Sequence, residues 1–323
     1  MSLAEMIELR SLVDVLYDIQ DVRMRTDNRL RQMPKETAKL KAKALRSLEA
    51  DLTKEIDVII QDIPIYKAFL GKVRGVGPRI SGSIIAQTMI KFVKITEDEY
   101  KFLAKHYESQ TVHDTQKAIA SQGTRDAQKN VVSQSPGDTH SSFTLEQFQL
   151  CQKTANGGYL IPVKRGIEAF DTCSKYWAWW GLHVVDGASP KRKKGENINW
   201  SPKMRTLAWK IGKQFVMQGQ GYRQLYDQEK DRLYDQRMPI GECHKYEECK
   251  AKMKNRPEPA CKGHIDSMAK RKAVKMFVSH LYECWRGLEG LPTRPPYVLE
   301  YLGHTTKSTW QDLPDLQDDP LEP

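Results

Sequence analysis

Three cysteines and one histidine lie close together in the last third of the chain, where they could hold a metal ion. The four side chains, spaced Cys-x5-Cys-x11-Cys-x2-His, are Cys243, Cys249, Cys261 and His264. Three thiolates and one imidazole satisfy the tetrahedral coordination of zinc, and a fully occupied site of this kind stabilises a fold without catalysing a reaction. The sequence therefore predicts a structural zinc module over residues 243–264. His244 is an alternative ligand, and surface thiols without a metal are the other interpretation.

A glycine-rich turn near residue 75 could hold a phosphate. Gly75 and Gly77 stand before Pro78 and an apolar helix, a pattern that resembles a helix-hairpin-helix. Glycines let backbone N–H groups approach a phosphate, and the N-terminus of the following helix adds partial positive charge. Arg74 and Arg79 flank the turn and could each neutralise one phosphate. The segment therefore predicts a DNA contact, and a plain turn between two helices is the alternative.

Four consecutive cations follow a loop of small residues. They are Lys191, Arg192, Lys193 and Lys194. Because such a run beside glycines in a basic protein can clamp a phosphate backbone, we expect these residues to bind DNA without base specificity. Lys203 and Arg205, which follow on the next predicted helix, are assigned to the same DNA-binding set. A solvated loop is the alternative interpretation.

Long amphipathic helices must position these motifs. Apolar residues at spacings of three and four predict two helices within residues 1–62, which form an antiparallel hairpin or a dimeric coiled coil. Ser201 is the predicted N-cap of a further helix, and residues 265–285 form another. The aromatic segment 166–182 is typical of a packed core, with a base-stacking platform as the alternative.

The predicted fold class is all-α, with a helical C-terminal domain that carries the small zinc-binding insertion. The expected segments are a helical hairpin or coiled coil (1–62), a helix-hairpin-helix (63–106), a mobile polar insertion (107–142), a transposase-like helical domain (143–289) and a disordered tail (290–323).

Composition narrows the possible function classes. With 323 residues the chain can bury an ordinary core, which excludes a very small disulfide scaffold. Lysine and arginine number 51 against 41 acidic residues, and the net charge of +10 favours a polyanionic partner such as nucleic acid. No apolar run approaches the ~18 residues of a membrane span, and the N-terminus does not resemble a signal peptide. We therefore expect a cytoplasmic protein that contacts no membrane.

Three blocks of sequence occur in a specific order. The helical pair leads into Val73–Pro78, then Tyr176–Leu182 is followed by the loop to Gly195, and Ala269–Lys275 lies near the end. In this order they resemble the C-terminal transposase domain of the DEDD insertion-sequence transposases of the IS-one-ten type. The resemblance implies a DNA-binding protein of a mobile element that acts in DNA transposition or recombination. It also implies a guide RNA as a partner. The N-terminal helical hairpin is expected to assemble the chain into homo-oligomers.

The family carries an N-terminal RuvC-like domain whose acidic residues bind magnesium, whereas this sequence begins at the coiled coil. The resemblance therefore implies a RuvC-like catalytic subunit that acts in trans. Ser189 best matches the serine that the family uses for strand exchange, although Pro190 stands where the family has glycine. Two alternatives follow. The chain is an active recombinase with Ser189 as the nucleophile, or it is a zinc-stabilised protein-interaction module whose basicity is incidental.

Overall fold

The computed structural model describes residues 1–33, 42–107, 143–185, 189–192, 194–195, 197–219, 221–235 and 262–293. The described chain is mostly helical, which confirms the helical character of the predicted fold class. It also contains a three-stranded sheet, which the sequence pattern did not predict. Most of the predicted polar insertion, zinc module and C-terminal tail lies outside the described residues.

The contacts divide the chain into two compact units. Unit 1 contains Met1–Glu8 and Thr88–Gly166, and unit 2 contains Leu9–Gln87 and Ile167–Pro323. Each unit has its own buried side chains, and each is described separately below.

Unit 1 is built around an antiparallel sheet with the order β1-β3-β2. The strands are β1 (Ile90–Ile95), β2 (Gln152–Lys153) and β3 (Tyr159–Lys164). Ile90 lies opposite Lys164 in the register of β1 and β3. Both long strands are rich in β-branched and aromatic residues, which fit a pleated, half-buried surface. The tight turn between β2 and β3 places Gly157 at a φ of +79°, a left-handed conformation that favours glycine.

Two helices supply the remaining core of unit 1. They are α5, formed by residues 97–107, and α6 (Leu145–Gln149). A capping box starts α6, because the Thr144 side chain accepts a hydrogen bond from the N–H of Gln147 and the Gln147 side chain accepts one from the N–H of Thr144. In the core, the rings of Tyr100 and Tyr159 stack with their centroids 3.8 Å apart. This packing holds α5 against the sheet.

Unit 2 begins with two antiparallel helices at the positions that the apolar spacing predicts. They are α1 (Leu3–Arg29), whose first residues belong to unit 1, and α2 (Lys43–Ile60). Their antiparallel direction follows from the ion pairs of Arg23 with Glu49 and of Asp27 with Arg46. The apolar side chains that these helices bury in unit 2 are Leu9, Val13, Leu16, Leu52, Ile56 and Ile60.

A short helix and a turn connect this pair to α4 (Pro78–Met89). The short helix is α3 (Pro64–Ala68), which starts with a proline as its first residue. Gly82 allows α4 to approach α2 closely, because a side-chain carbon on Gly82 would overlap the Cγ2 of Ile56. The absence of a side chain at this position therefore sets the distance between the two helices.

Four helices complete unit 2. They are α7 (Cys173–Trp179), α8 (Pro202–Gln218), α9 (Tyr222–Asp235) and α10 (Lys262–Leu288). The long helix α10 packs against the other three. The predicted N-cap of α8 is confirmed, since the Ser201 hydroxyl accepts a hydrogen bond of 3.3 Å from the N–H of Met204.

Aromatic side chains fill the core of unit 2. Tyr176 and Trp180 from the aromatic segment are fully buried, which confirms that this segment belongs to the core. Phe277 of α10 lies between Phe69, with ring centroids 5.7 Å apart, and Phe215 of α8, at 5.6 Å. These contacts tie the segment just before the glycine turn to the C-terminal helices.

Candidate nucleic-acid interface

The glycine turn that the sequence singled out joins two helical segments closely. The chain passes from α3 through a single 3-10 turn at Leu70–Lys72 and enters α4 at Pro78. The N–H of Val76 donates a hydrogen bond of 3.0 Å to the carbonyl of Val73, and Gly75 adopts a φ of +84°. This left-handed conformation favours glycine and makes the turn tight.

The turn lies directly on helix α8. A side-chain carbon built on Gly75 would lie 3.0 Å from the Cβ of Gln214 and 3.1 Å from the Cγ of Gln218. No atom lies within 4 Å of such a carbon on Gly77. The two glycines therefore have different roles, because Gly75 packs the turn against α8 whereas Gly77 leaves open space in front of it.

The turn, α1, α2, α4 and α8 together enclose a groove of about 880 Å³, which we call the basic groove. Its lining residues are Leu16, Tyr17, Gln20, Thr53, Arg74, Gly75, Gly77, Pro78, Arg79, Ile80, Trp209, Lys210, Lys213, Gln214, Met217 and Gln218. Four of these side chains are cations, and none of the described lining residues is acidic. The groove thus brings together Arg74, Gly75, Gly77 and Arg79, which the sequence predicted for DNA contact. It also includes α8, which the sequence did not place beside this turn.

A buried carboxylate behind the groove holds Arg79. Glu49 is only 4% exposed and forms an ion pair with Arg23. The same carboxylate lies 3.5 Å from a terminal nitrogen of Arg79, and the Nε of Arg79 donates a hydrogen bond of 2.7 Å to the hydroxyl of Thr53. Because 42% of the Arg79 side chain remains exposed, its guanidinium is fixed in direction and can still contact a ligand.

The side chain of Lys210 is partly buried within the groove. Its amino group stands 4.2 Å from the centroid of the Tyr17 ring. Burial lowers the pKa of Lys210, nearby Asp21 opposes this shift, and the positive charge of Arg79 adds to it. An anion bound beside Lys210 would favour its charged form, so protonation of this lysine and anion binding support each other.

Two large apolar side chains on α8 are exposed at the groove. Trp209 is 63% exposed and Met217 is 70% exposed. The amino group of Lys213 lies 4.7 Å from the centroid of the Trp209 ring, which is cation–π geometry. The sequence contained a signal for these residues, because Trp209 and Met217 fall outside the apolar stripe that α8 buries.

The predicted basic loop lies apart from the residues that line the groove. Lys191, Arg192 and Lys194 are exposed, as a DNA-binding loop requires, and Lys193 lies outside the described residues. Arg205 acts as an internal support, since it donates a hydrogen bond to the carbonyl of buried Pro190.

The two remaining members of the predicted DNA-binding set make contacts within the protein. The Arg205 guanidinium lies 4.8 Å from the Trp200 ring, and burial lowers the pKa of Arg205. The amino group of Lys203 forms an ion pair of 2.7 Å with Asp14 of α1. Both cations therefore have partners within the protein, although 53% of the Lys203 side chain is exposed.

Ser189 is exposed at the start of the basic loop. Among the described residues, no side chain forms a hydrogen bond with its hydroxyl. Two cations of α10 are partly covered, because Arg271 donates a hydrogen bond of 2.7 Å to the carbonyl of His183 and the amino group of Lys275 lies 4.0 Å from the centroid of the Trp177 ring. Burial lowers the pKa of both.

The predicted zinc site falls mostly outside the described residues. Cys243, Cys249 and Cys261 are not among them, and His264 lies in the first turn of α10. Within the described part of the chain, no three histidine, cysteine or acidic side chains form a group that could hold a metal ion.

No protein-family model, no curated protein and no solved structure matches this chain. In the described ranges, every helix is too short or too polar to cross a lipid bilayer. The functional conclusion therefore rests on the geometry and charge of the basic groove.

Proposed function

We propose that the chain is a DNA-binding protein of a mobile element, acting in DNA transposition or recombination, and that the basic groove contacts the DNA backbone. The observation that carries this proposal is the convergence of Arg74, Arg79, Lys210 and Lys213 on one concave surface with no acidic lining residue. The resemblance of three sequence blocks to the transposase C-terminal domain of the IS-one-ten type supports the biological role.

The groove supplies the groups that phosphates need. Each cation can neutralise one phosphate and release its counterions, so binding weakens as salt rises. The 12-residue helix α4 begins at the groove, and its N-terminus adds partial positive charge beside Gly77. The exposed cations of the basic loop are a second, sequence-independent contact.

A salt titration with charge-matched variants tests the proposal. Fluorescence anisotropy of a labelled duplex should show steep salt dependence for the wild-type protein. The triple variant Arg74→Gln, Lys210→Gln, Lys213→Gln should lower the slope of log K against log salt by up to about 0.9 for each phosphate that the protein no longer neutralises. The control variant changes three exposed lysines that do not line the groove, Lys43, Lys54 and Lys67, to glutamine. It removes the same charge and should leave most of the slope intact.

Weak binding that does not respond to salt would contradict the proposal and favour the protein-interaction module. Equal slopes for the groove variant and the control would show that DNA contacts some other surface. Repeating the titration with the guide-like RNA of the same locus tests the RNA partner.

A second candidate function is suggested by Ser189. Its exposed position, beside Pro190 that Arg205 supports, would give a DNA strand access to the hydroxyl. In this alternative the chain is a serine-assisted recombinase, and a RuvC-like subunit in trans supplies the acidic half of the active site. Strand exchange that persists at the full rate in Ser189→Ala would exclude it.

The proposal also includes a structural zinc ion, homo-oligomerisation through the N-terminal helices, and the cytoplasm as the compartment. Cys243, Cys249, Cys261 and His264 are the proposed zinc ligands, and thiolates of this kind persist in a reducing compartment. Metal analysis of the purified protein should find about one zinc ion per chain, absent from Cys261→Ser. Sedimentation of the full chain measures the oligomeric state.

A further inference from the structure

We propose that the basic groove accepts an unpaired nucleotide of a DNA strand, whose base stacks on the indole of Trp209. This inference rests on the proposed function, since it names the part of the DNA that the groove takes. The observation behind it is an indole that is 63% exposed at the rim of a cationic groove. Met217 of the same helix is also exposed and lines the groove, so Trp209 belongs to an exposed apolar patch, which is typical of a binding surface.

Trp209 lies on a different face of α8 from the side chains that support the fold. Helix α8 buries Leu207, Ile211 and Phe215, and Trp209 does not belong to that face. The other aromatic ring of the groove, Tyr17, is already covered by Lys210 and hydrogen-bonded through its hydroxyl to Ser83 at 3.0 Å. The amino group of Lys213 also lies near the Trp209 ring, but Trp209 is 63% exposed whereas Tyr17 is partly buried, so Trp209 has the larger surface to offer a base.

Polar side chains of the basic groove suit the edges and phosphates of a nucleotide. Lys213, which lies over the indole, and Arg74, on the turn, can each contact a phosphate. Gln214 and Gln218 line the same groove, and their amides both donate and accept hydrogen bonds, as base edges do. Exposed Met217 extends the apolar surface.

An unpaired base fits this groove better than a duplex base pair does. Inside a duplex both faces of a base are covered by its neighbours, so only an unpaired base can stack on a protein ring. The groove volume of about 880 Å³ is in the range of sites that enclose a small molecule. A peptide could use the same apolar rim, but four cations with no acidic lining residue favour a polyanion.

Three labelled DNA probes of the same sequence test the inference. They are a perfect duplex, a duplex with one unpaired adenosine, and a duplex in which that nucleotide is abasic. Because a stacked base contributes strongly to affinity, we expect the wild-type protein to bind the adenosine bulge about 5- to 100-fold more tightly than the abasic bulge. The abasic probe keeps the bend and the phosphates, so the difference reports the base alone.

Variants of exposed aromatic residues assign the effect to Trp209. Trp209→Ala should remove the preference for the adenosine bulge over the abasic bulge, whereas Trp209→Phe should retain most of this preference. The matched control is Phe102→Ala, since Phe102 is 65% exposed and does not line the groove. Circular dichroism and thermal unfolding confirm that each variant is folded.

The outcomes separate this inference from the proposed function. If the wild-type protein binds all three probes equally, or Trp209→Ala keeps the preference, the inference is overturned and the DNA-binding proposal stands. If no probe binds, the DNA-binding proposal itself fails. If the bulge preference appears with a matching RNA probe and not with DNA, the ligand is RNA and the DNA version is overturned.

Discussion

Gly75 rests on Gln214 so closely that a side-chain carbon on the glycine would lie 3.0 Å from the Cβ of the glutamine. The φ of +84° at Gly75 adds a conformational reason for glycine. Gly77, two residues later, has no atom within 4 Å of such a carbon. The turn therefore has one glycine that fixes its contact with α8 and one that leaves space in the groove.

The first prediction compares alanine at these two positions. Gly75→Ala should lower the free energy of unfolding by about 1–3 kcal/mol, because the left-handed backbone and the contact with Gln214 both oppose a side chain. Gly77→Ala should stay within about 0.5 kcal/mol of wild type. Urea unfolding followed by circular dichroism measures both, and equal losses would contradict the assigned roles. Gly75→Ala should also weaken DNA binding, since it moves the turn relative to α8.

The second prediction concerns the carboxylate of Glu49. Removing it in Glu49→Ala leaves Arg23 and Arg79 without the buried charge that both contact. Breaking a buried ion pair from one side removes charge compensation, although Arg23 keeps its ion pair of 3.0 Å with Asp27. Since both arginines are partly exposed, we expect the free energy of unfolding to fall by about 2 kcal/mol. Glu55→Ala, at an exposed position of the same helix, is the control and should change little.

The third prediction separates two roles: Arg205 supports the structure of the basic loop, whereas the exposed cations of the loop contact DNA. Arg205→Ala should destabilise the protein by about 1–2 kcal/mol, because it removes a charged hydrogen bond to the Pro190 carbonyl. Changing Lys191, Arg192 and Lys194 to glutamine should leave stability unchanged and should weaken DNA binding equally for all sequences. Unfolding and anisotropy measurements on both proteins decide between the roles. A loop variant that unfolds as readily as Arg205→Ala would contradict this division.

The helices could be predicted from the sequence because their evidence is local. Leu9 and Leu16 repeat at helical spacing, and both are buried in α1. The cap at Ser201 is equally local, since the hydroxyl bonds to an N–H three residues away. Local patterns of this kind persist wherever the helix packs.

The sheet, and the position of α8 at the groove, depend on contacts between residues that are far apart in the sequence. Ile90 pairs with Lys164, and no pattern within either strand specifies that partner. Lys210 lies beside Tyr17 in the groove, although nearly two hundred positions separate them in the chain. The sequence showed cations on α8 but could not show which of them face the glycine turn. The packing of α8 against Gly75 determines which of these cations line the groove.

The buried thiol of Cys173 provides the last prediction, which concerns alkaline pH. Burial raises the pKa of Cys173 to about 12, and the nearby hydroxyl of Ser279 opposes the shift. An unfolded cysteine has a pKa of about 8.5. Above that value the unfolded chain loses this proton while the folded chain keeps it, so stability falls as pH rises and the fall continues until about pH 12.

Between pH 9 and 10 the thiols titrate in the unfolded chain before most tyrosines do. In this interval Cys173 should lower the free energy of unfolding by up to about 1.4 kcal/mol per pH unit. Urea unfolding at pH 8, 9 and 10 should therefore show a steeper decline for wild type than for Cys173→Ala. Cys151→Ala is the control, because Cys151 is only partly buried. The decline of the unfolding free energy with pH should be closer to that of wild type in this variant. Parallel curves for wild type and Cys173→Ala would show that the native thiol ionises as readily as the unfolded one.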